Sequence, residues 1–484
     1  MVDAPPRIER RASAAAPAGA IALSALFAGL ALYACWSAPG LAERWGIAPA
    51  GLVLLAVWVA AAAWAAATAV RDPGRVGWAG FAIVAIAFRL ASLTLVAGRE
   101  SPGDPHWYLE LARHLLSGQG LFLDDPAMGT RVYAEFPPAY PVLLAGWSAI
   151  AGLSPVAVLT LSTLLDALAA AMIASLGRRI GAARAGRAAA ALYLIWPSVL
   201  FNAPLAQKES LELVAVLALA HGWVGAEWVD WRAALRIGLP AGLLALTQPG
   251  MAAMAALFGL AMAPRLGWRR FAGLAAVGAL VAAAVMMPWW VRNWRLFHAF
   301  VPLTSVGGLS LWVGENPGAT GNWMPYPAAL VGLPELACSR AAGRLAIDWM
   351  IHHPAGVAHL TVAKFLRAAG VGQFAITRLA AMRPGLAPGL TATLLPLAHG
   401  SQFVLLAAGA VSLLVRRRPT LTALILTIVA QLLVFGLPFE FSERHREVLT
   451  PFLLLSIALG VQGAMAYVRR RRAPAVPSWA QRSA

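Results

Sequence analysis

Charge is scarce in this chain. Asp, Glu, Lys and Arg make up 12% of its 484 residues, while apolar residues make up 60%. A water-soluble globule has no use for so much apolar surface, so the composition excludes one and points to a polytopic membrane protein. Cysteine is scarcer still. Cys35 and Cys338 stand alone, which excludes a disulfide framework. The string Leu32-Tyr33-Ala34-Cys35 faintly resembles a lipoprotein cleavage box, but Tyr33 fits it badly and further spans follow. The N-terminal segment reads instead as an uncleaved signal anchor. Also missing are a Walker loop, a dinucleotide fingerprint and a Gly-x-Ser-x-Gly elbow. No internal repeat suggests the inverted halves of a secondary transporter. His352-His353 and Asp124-Asp125 lack the spaced partners that a metal site needs, so neither a metal nor a cofactor is expected.

What is present is a series of apolar runs. About 20 such residues cross a ~30 Å hydrocarbon core, and the chain offers roughly twelve: 19–38, 49–70, 77–97, 155–177, 188–204, 210–226, 233–247, 249–263, 271–290, 393–415, 419–437 and 451–468. The net charge of +17 does not indicate nucleic acid. Its basic residues cluster in alternate short loops: Arg10-Arg11, Arg71 and Arg75, Arg178-Arg179, Arg269-Arg270, Arg416 to Arg418, and Arg469 to Arg472. That is the positive-inside pattern. It predicts cytosolic termini, contact with anionic lipid, and outward-facing long loops at about 98–154 and 291–392. The expected divisions are a two-span hairpin within 1–76, a core at 77–290 containing the first outer loop, a second outer region at 291–392, and C-terminal spans with a basic tail at 393–484.

The outer loops hold the residues suited to chemistry. Asp104-Pro105 opens a predicted interfacial helix over about 105–117, with Trp107, Tyr108, Leu111, Ala112 and Leu115 at helical spacing. Asp before Pro is ordinary helix-start chemistry, so an N-cap role is expected. Capping leaves one carboxylate oxygen free to act as a base. Glu209, in the short turn Gln207-Lys208-Glu209, is either a solvated loop residue or a second carboxylate at the same membrane face. Arg292 and Arg295 leave a span among aromatics, as helix-end anchors do. Glu443-Arg444-His445-Arg446 puts basic residues on the outer side, against the trend, where they either pair with Glu440, Glu443 and Glu447 or hold a lipid phosphate. Arg89 and Asp166 lie inside predicted spans at similar depths, about 14 and 17 Å from the outer end. Such charges are usually paired, so an ion pair between neighbouring helices is expected.

Three features carry a resemblance. Asp104 is followed by Tyr108-Leu109-x-Leu111-Ala112 and then Pro137-Pro138-x-Tyr140-Pro141. Residues 288–321 read PWWVRNWRLFHAFVPLTSVGGLSLWVGENPGATG. An Arg-rich turn precedes the span led by Pro451. Across about residues 77 to 468 the chain resembles the GT-C membrane glycosyltransferases, nearest to bacterial relatives of protein O-mannosyltransferases and of the lipid A aminoarabinose transferases. The resemblance implies an all-α GT-C-like bundle of about twelve transmembrane helices, with interfacial helices in two long outer loops. It implies inverting transfer of a sugar from a polyprenyl-phosphate carrier to a lipid, glycan or protein acceptor at the outer face of a bacterial inner membrane. Asp104 maps onto the general base and Glu209 onto the acid of the second outer loop. Lys208, Arg292, Asn293, Glu315, Asn316, Arg444 and Arg446 are then candidates for holding carrier phosphate or substrate. Two departures stand out: Pro105 where many relatives have a second acid, and Phe136 where the lipid A enzymes have a lysine. A surface-glycan ligase or polymerase, a lipid or polysaccharide transporter, and a catalytically dead relative remain as alternatives.

Overall fold

The computed structural model describes residues 16–71, 78–96 and 99–472. Both termini, Arg10-Arg11 and Arg75 lie outside the described residues. Within them the protein is almost entirely helical, with one short antiparallel hairpin pairing β1 (Leu123–Asp125) with β2 (Thr130–Val132). The helices in order are α1 (Ala16–Trp45), α2 (Pro49–Arg71), α3 (Trp78–Val96), α4 (Asp104–Leu116), α5 (Ala139–Ala151), α6 (Pro155–Arg179), α7 (Ala183–Leu194), α8 (Pro197–Asn202), α9 (Glu209–Val224), α10 (Trp231–Thr247), α11 (Met254–Leu266) and α12 (Trp268–Phe297). Then come α13 (Gly307–Gly314), α14 (Glu335–His352), α15 (Pro354–Gly370), α16 (Phe374–Ala381), α17 (Ala387–Val415), α18 (Pro419–Gln431) and α19 (Thr450–Arg472).

This is an all-α membrane protein. Among the described residues seven helices are long and apolar enough to cross a bilayer. Seven of the twelve expected runs coincide with these helices, while those at 188–204, 210–226, 233–247 and 419–437 fall on shorter or broken ones. The run at 188–204 is split into α7 and α8 at Ile195-Trp196, because Pro197 lacks an N–H and turns the residue before it away from helical geometry. Where α6 meets α7, a Cβ on Gly177 would lie 2.4 Å from the Gly186 Cα. Only glycine allows that approach, the small-residue contact that membrane helices use in place of a hydrophobic driving force.

The N-terminal hairpin is packed into the bundle. α1 lies along α17, His399 Nε2 is 2.9 Å from the Ala34 carbonyl, and Trp45 Nε1 donates to Gln373 Oε1 at 2.9 Å. The two long loops share one apolar core, in which Tyr108, Leu111, Leu123 and Val132 pack with Leu309, Trp312, Cys338 and Ala342. One carboxylate ties them together. Glu335 accepts from Tyr133 N at 2.7 Å and Ala134 N at 2.8 Å, and from the Ser305 hydroxyl. This shared core fixes α4, the helix that Asp104 opens.

Candidate functional site

α4 begins at Asp104, but Asp104 does not cap it. The N-cap is Gly103, with φ 82° and no side-chain cap. Glycine suits that position twice over, since the positive φ is one it tolerates and a Cβ would lie 3.0 Å from Arg378 Nη1. Released from capping, the Asp104 carboxylate pairs with the Arg444 guanidinium, 340 positions away. Arg444 sits on the turn Glu443–Leu449 and faces two more carboxylates. Its Nε is 3.9 Å from Glu209 Oε1, and its Nη2 is 3.6 Å from Glu440 Oε1. Its Cζ lies 5.7 Å from the centre of the Phe374 ring, which also carries Arg378 at 5.4 Å. Arg378 Nη1 donates to the Pro102 carbonyl at 2.9 Å.

Glu209 opens α9 directly after Lys208, and neither is a solvated turn residue. The Glu209 side chain is 10% exposed and Lys208 is buried. The sequence holds only two lysines, Lys208 and Lys364, and both are buried. Lys364 is paired with Glu315, whereas Lys208 Nζ has no hydrogen-bond partner among the described residues. Unmet polar groups gather around it. Tyr108 Oη, Glu209 Oε2, Glu212 Oε1 and both side-chain polar atoms of Gln207 are buried without a partner. Buried polar groups are normally satisfied, so this concentration marks a place built for a polar occupant or for water.

The local charges shift one another. Burial alone would push the Asp104 carboxyl up, but Arg444, Lys208 and Arg378 together hold it below the usual carboxylate range. Burial pushes Glu440 up despite Arg444. The Lys208 ammonium is pushed down by burial and by Arg444, against the pull of Glu209, Asp104 and Glu212. Burial, together with Asp104 and Glu209, raises the Tyr108 hydroxyl well above its ordinary value, so it remains a donor at neutral pH. Arg444 also lines a small space walled by Asn202, Gln373, Phe374 and Arg446. Gln402 and Arg446 also wall a second small space, lined by Leu30, Phe365, Leu405 and Phe441. A space of mixed lining thus adjoins a greasy one.

The structure therefore brings together Asp104, Lys208, Glu209 and Arg444. It does not add the other expected ligands to the cluster. Arg292 reaches Asn293 Oδ1 at 2.9 Å and the Leu121 carbonyl, and Asn293 Nδ2 donates to Val301 O at 3.0 Å. Glu315 is held by Lys364 at 2.8 Å. Asn316 bonds Trp312 O at 2.7 Å and Gly318 N at 2.8 Å. These four thus lie outside the cluster, tied to neighbouring groups of the two long loops, although Glu315 Oε2 is buried without a partner. Arg446 lines both spaces but donates to the carbonyls of Ala368 and Val371, so it too is a tie first. Arg378 and Tyr108 belong to the cluster and were not expected there, whereas the pairing of Glu440 with Arg444 is one of the two alternatives the sequence offered. Among the described residues, no three His, Cys, Asp or Glu side chains are placed to hold a metal.

No family model matches the chain, and no curated protein matches it. In fold it is similar to solved structures of two proteins. One is the oligosaccharyltransferase AglB of Archaeoglobus fulgidus, solved with an inhibitory peptide and a dolichol-phosphate. It is 15% identical, with a TM-score of 0.48 over 81% of this chain and 51% of that one. The other is ArnT of Cupriavidus metallidurans bound to undecaprenyl phosphate, 14% identical, with a TM-score of 0.40 over 81% and 79%. The chain spans about half the length of AglB.

Proposed function

We propose that this protein is an inverting glycosyltransferase that moves a sugar from a polyprenyl-phosphate carrier to a lipid, glycan or protein acceptor. Its site faces the outside of a bacterial inner membrane, with twelve spans and both termini in the cytosol. The observation that supports this reading best is the convergence of Asp104, Glu209 and Glu440 on Arg444, with Lys208 beside them. A polyprenyl tail is confined to lipid, so its sugar-phosphate lies at the interface, level with such a cluster.

The chemistry follows from the side chains. The acceptor oxygen attacks the anomeric carbon as the bond from that carbon to the phosphate oxygen breaks, on the opposite side. The acceptor proton passes to Asp104, and the electron pair of the broken bond leaves with the polyprenyl phosphate. Lys208 and Arg444 are the cations that balance the charge growing on that phosphate. In the unliganded protein Arg444 is shared among carboxylates and weakens Asp104 as a base. A phosphate drawing on Arg444 loosens that hold, so arrival of the carrier strengthens the base. Glu209 and Glu440 remain to orient the acceptor or sugar hydroxyls.

The test is binding of a fluorescent prenyl phosphate to purified protein, with K208A and R444M beside the wild type. The reading requires weaker binding in both variants. Unchanged affinity in both would refute it.

A further inference from the structure

The expected pair inside the membrane is present, and it has a further connection. Arg89 Nη2 donates to Asp166 Oδ2 at 2.7 Å, and both side chains are buried. A buried pair needs its remaining lone pairs satisfied, and here the other Asp166 oxygen takes two hydroxyls. Tyr193 Oη donates to Oδ1 at 3.0 Å and Ser210 Oγ at 3.2 Å. Ser210 is the neighbour of Glu209 in the first turn of α9. That turn has no side-chain cap of its own, since its N-cap is Lys208. The Arg444 turn is held in the same manner from below: Glu447 accepts from Ser198 Oγ at 2.7 Å and from Thr450 Oγ1 at 3.3 Å.

We infer that Asp166 is a positioning residue: through Ser210 it pins the start of α9 and so holds Lys208 and Glu209 against Arg444. A purely structural ion pair between α3 and α6 would need no hydroxyl from α9. The importance of this anchor for carrier binding rests on the function proposed above, whereas the positional claim does not.

The experiment compares S210T with S210V, which have almost the same volume and differ in the hydroxyl. Lys208 is labelled with an aqueous amine-reactive reagent in the purified protein and quantified by mass spectrometry. Lys364, the only other lysine, serves as the internal reference. S210V is expected to raise Lys208 labelling about fivefold, the factor that one lost hydrogen bond represents, while S210T stays near the wild type. Equal labelling in the two variants would overturn the inference. The prenyl phosphate titration of K208A keeps the two ideas apart. Wild-type affinity there counts against the functional reading, and the contrast between Thr and Val still decides the positional one.

Discussion

Replacing Asp104 by Asn should split two properties that a structural lesion would degrade together. The change is nearly isosteric and keeps one oxygen to accept from Arg444, but it removes the charge. A carboxylate that removes the acceptor proton contributes about 10²–10⁴-fold, so transfer should fall by at least about a hundredfold. Binding of carrier should move the other way. Asp104 is partly exposed, with a quarter of its side-chain surface reached by solvent. At an effective dielectric of about 40, a phosphate charge about 6 Å from it is repelled by roughly 1.4 kcal/mol, so neutralising it should tighten carrier binding about tenfold. Two assays read this out: titration of purified D104N with fluorescent prenyl phosphate, and restoration of surface glycan in a deletion strain. Normal restoration would remove Asp104 as the base. Weaker binding together with loss of restoration would mean that the carboxylate merely holds Arg444 in place.

Other consequences follow from the same geometry. Because the Lys208 ammonium is held below its ordinary range, prenyl phosphate affinity should fall with rising pH before the usual lysine range is reached, and K208R should abolish that limb. Asp104 has a depressed carboxyl, so its contribution to stability is present above its unfolded value of about 3.9 and is lost only as pH falls through the lower folded value. No loss of thermal stability between pH 5 and 7 should then trace to Asp104, which comparing D104N with wild type across that window checks. R89L and D166L should each destabilise by about 3–5 kcal/mol while the double change is milder, as expected when a buried charge is stranded; additive damage in thermal unfolding would argue against pairing. E335Q should loosen the shared core of the two long loops, read as faster amide exchange at Tyr133 and Ala134.

Much of this was legible in the sequence because membrane spans are local. Twenty apolar residues announce themselves, and charges inside them are so costly that Arg89 and Asp166 could be paired by depth alone. The candidate acids were legible for a related reason, since polar groups stand out in so apolar a chain. What local pattern could not supply was partnership. Asp104-Pro105 reads as a cap from its neighbours, yet Gly103 takes that place, and the real partner of Asp104 is 340 residues distant. Nor did the Gly314-Glu315-Asn316 turn reveal that Lys364, on another helix, pairs with Glu315. Arg378 was hidden among many arginines. The scarcity of lysine was the clue left unused: a chain that keeps two and buries both has placed each against a carboxylate or beside a site.

The measurement closest to the central claim is the sugar composition of envelope glycoconjugates in a strain lacking this protein. The account predicts that one sugar disappears from one glycoconjugate while its carrier-linked form accumulates, and that wild-type protein but not D104N or R444M reverses both. An unchanged composition, with no carrier-linked sugar building up, would contradict it.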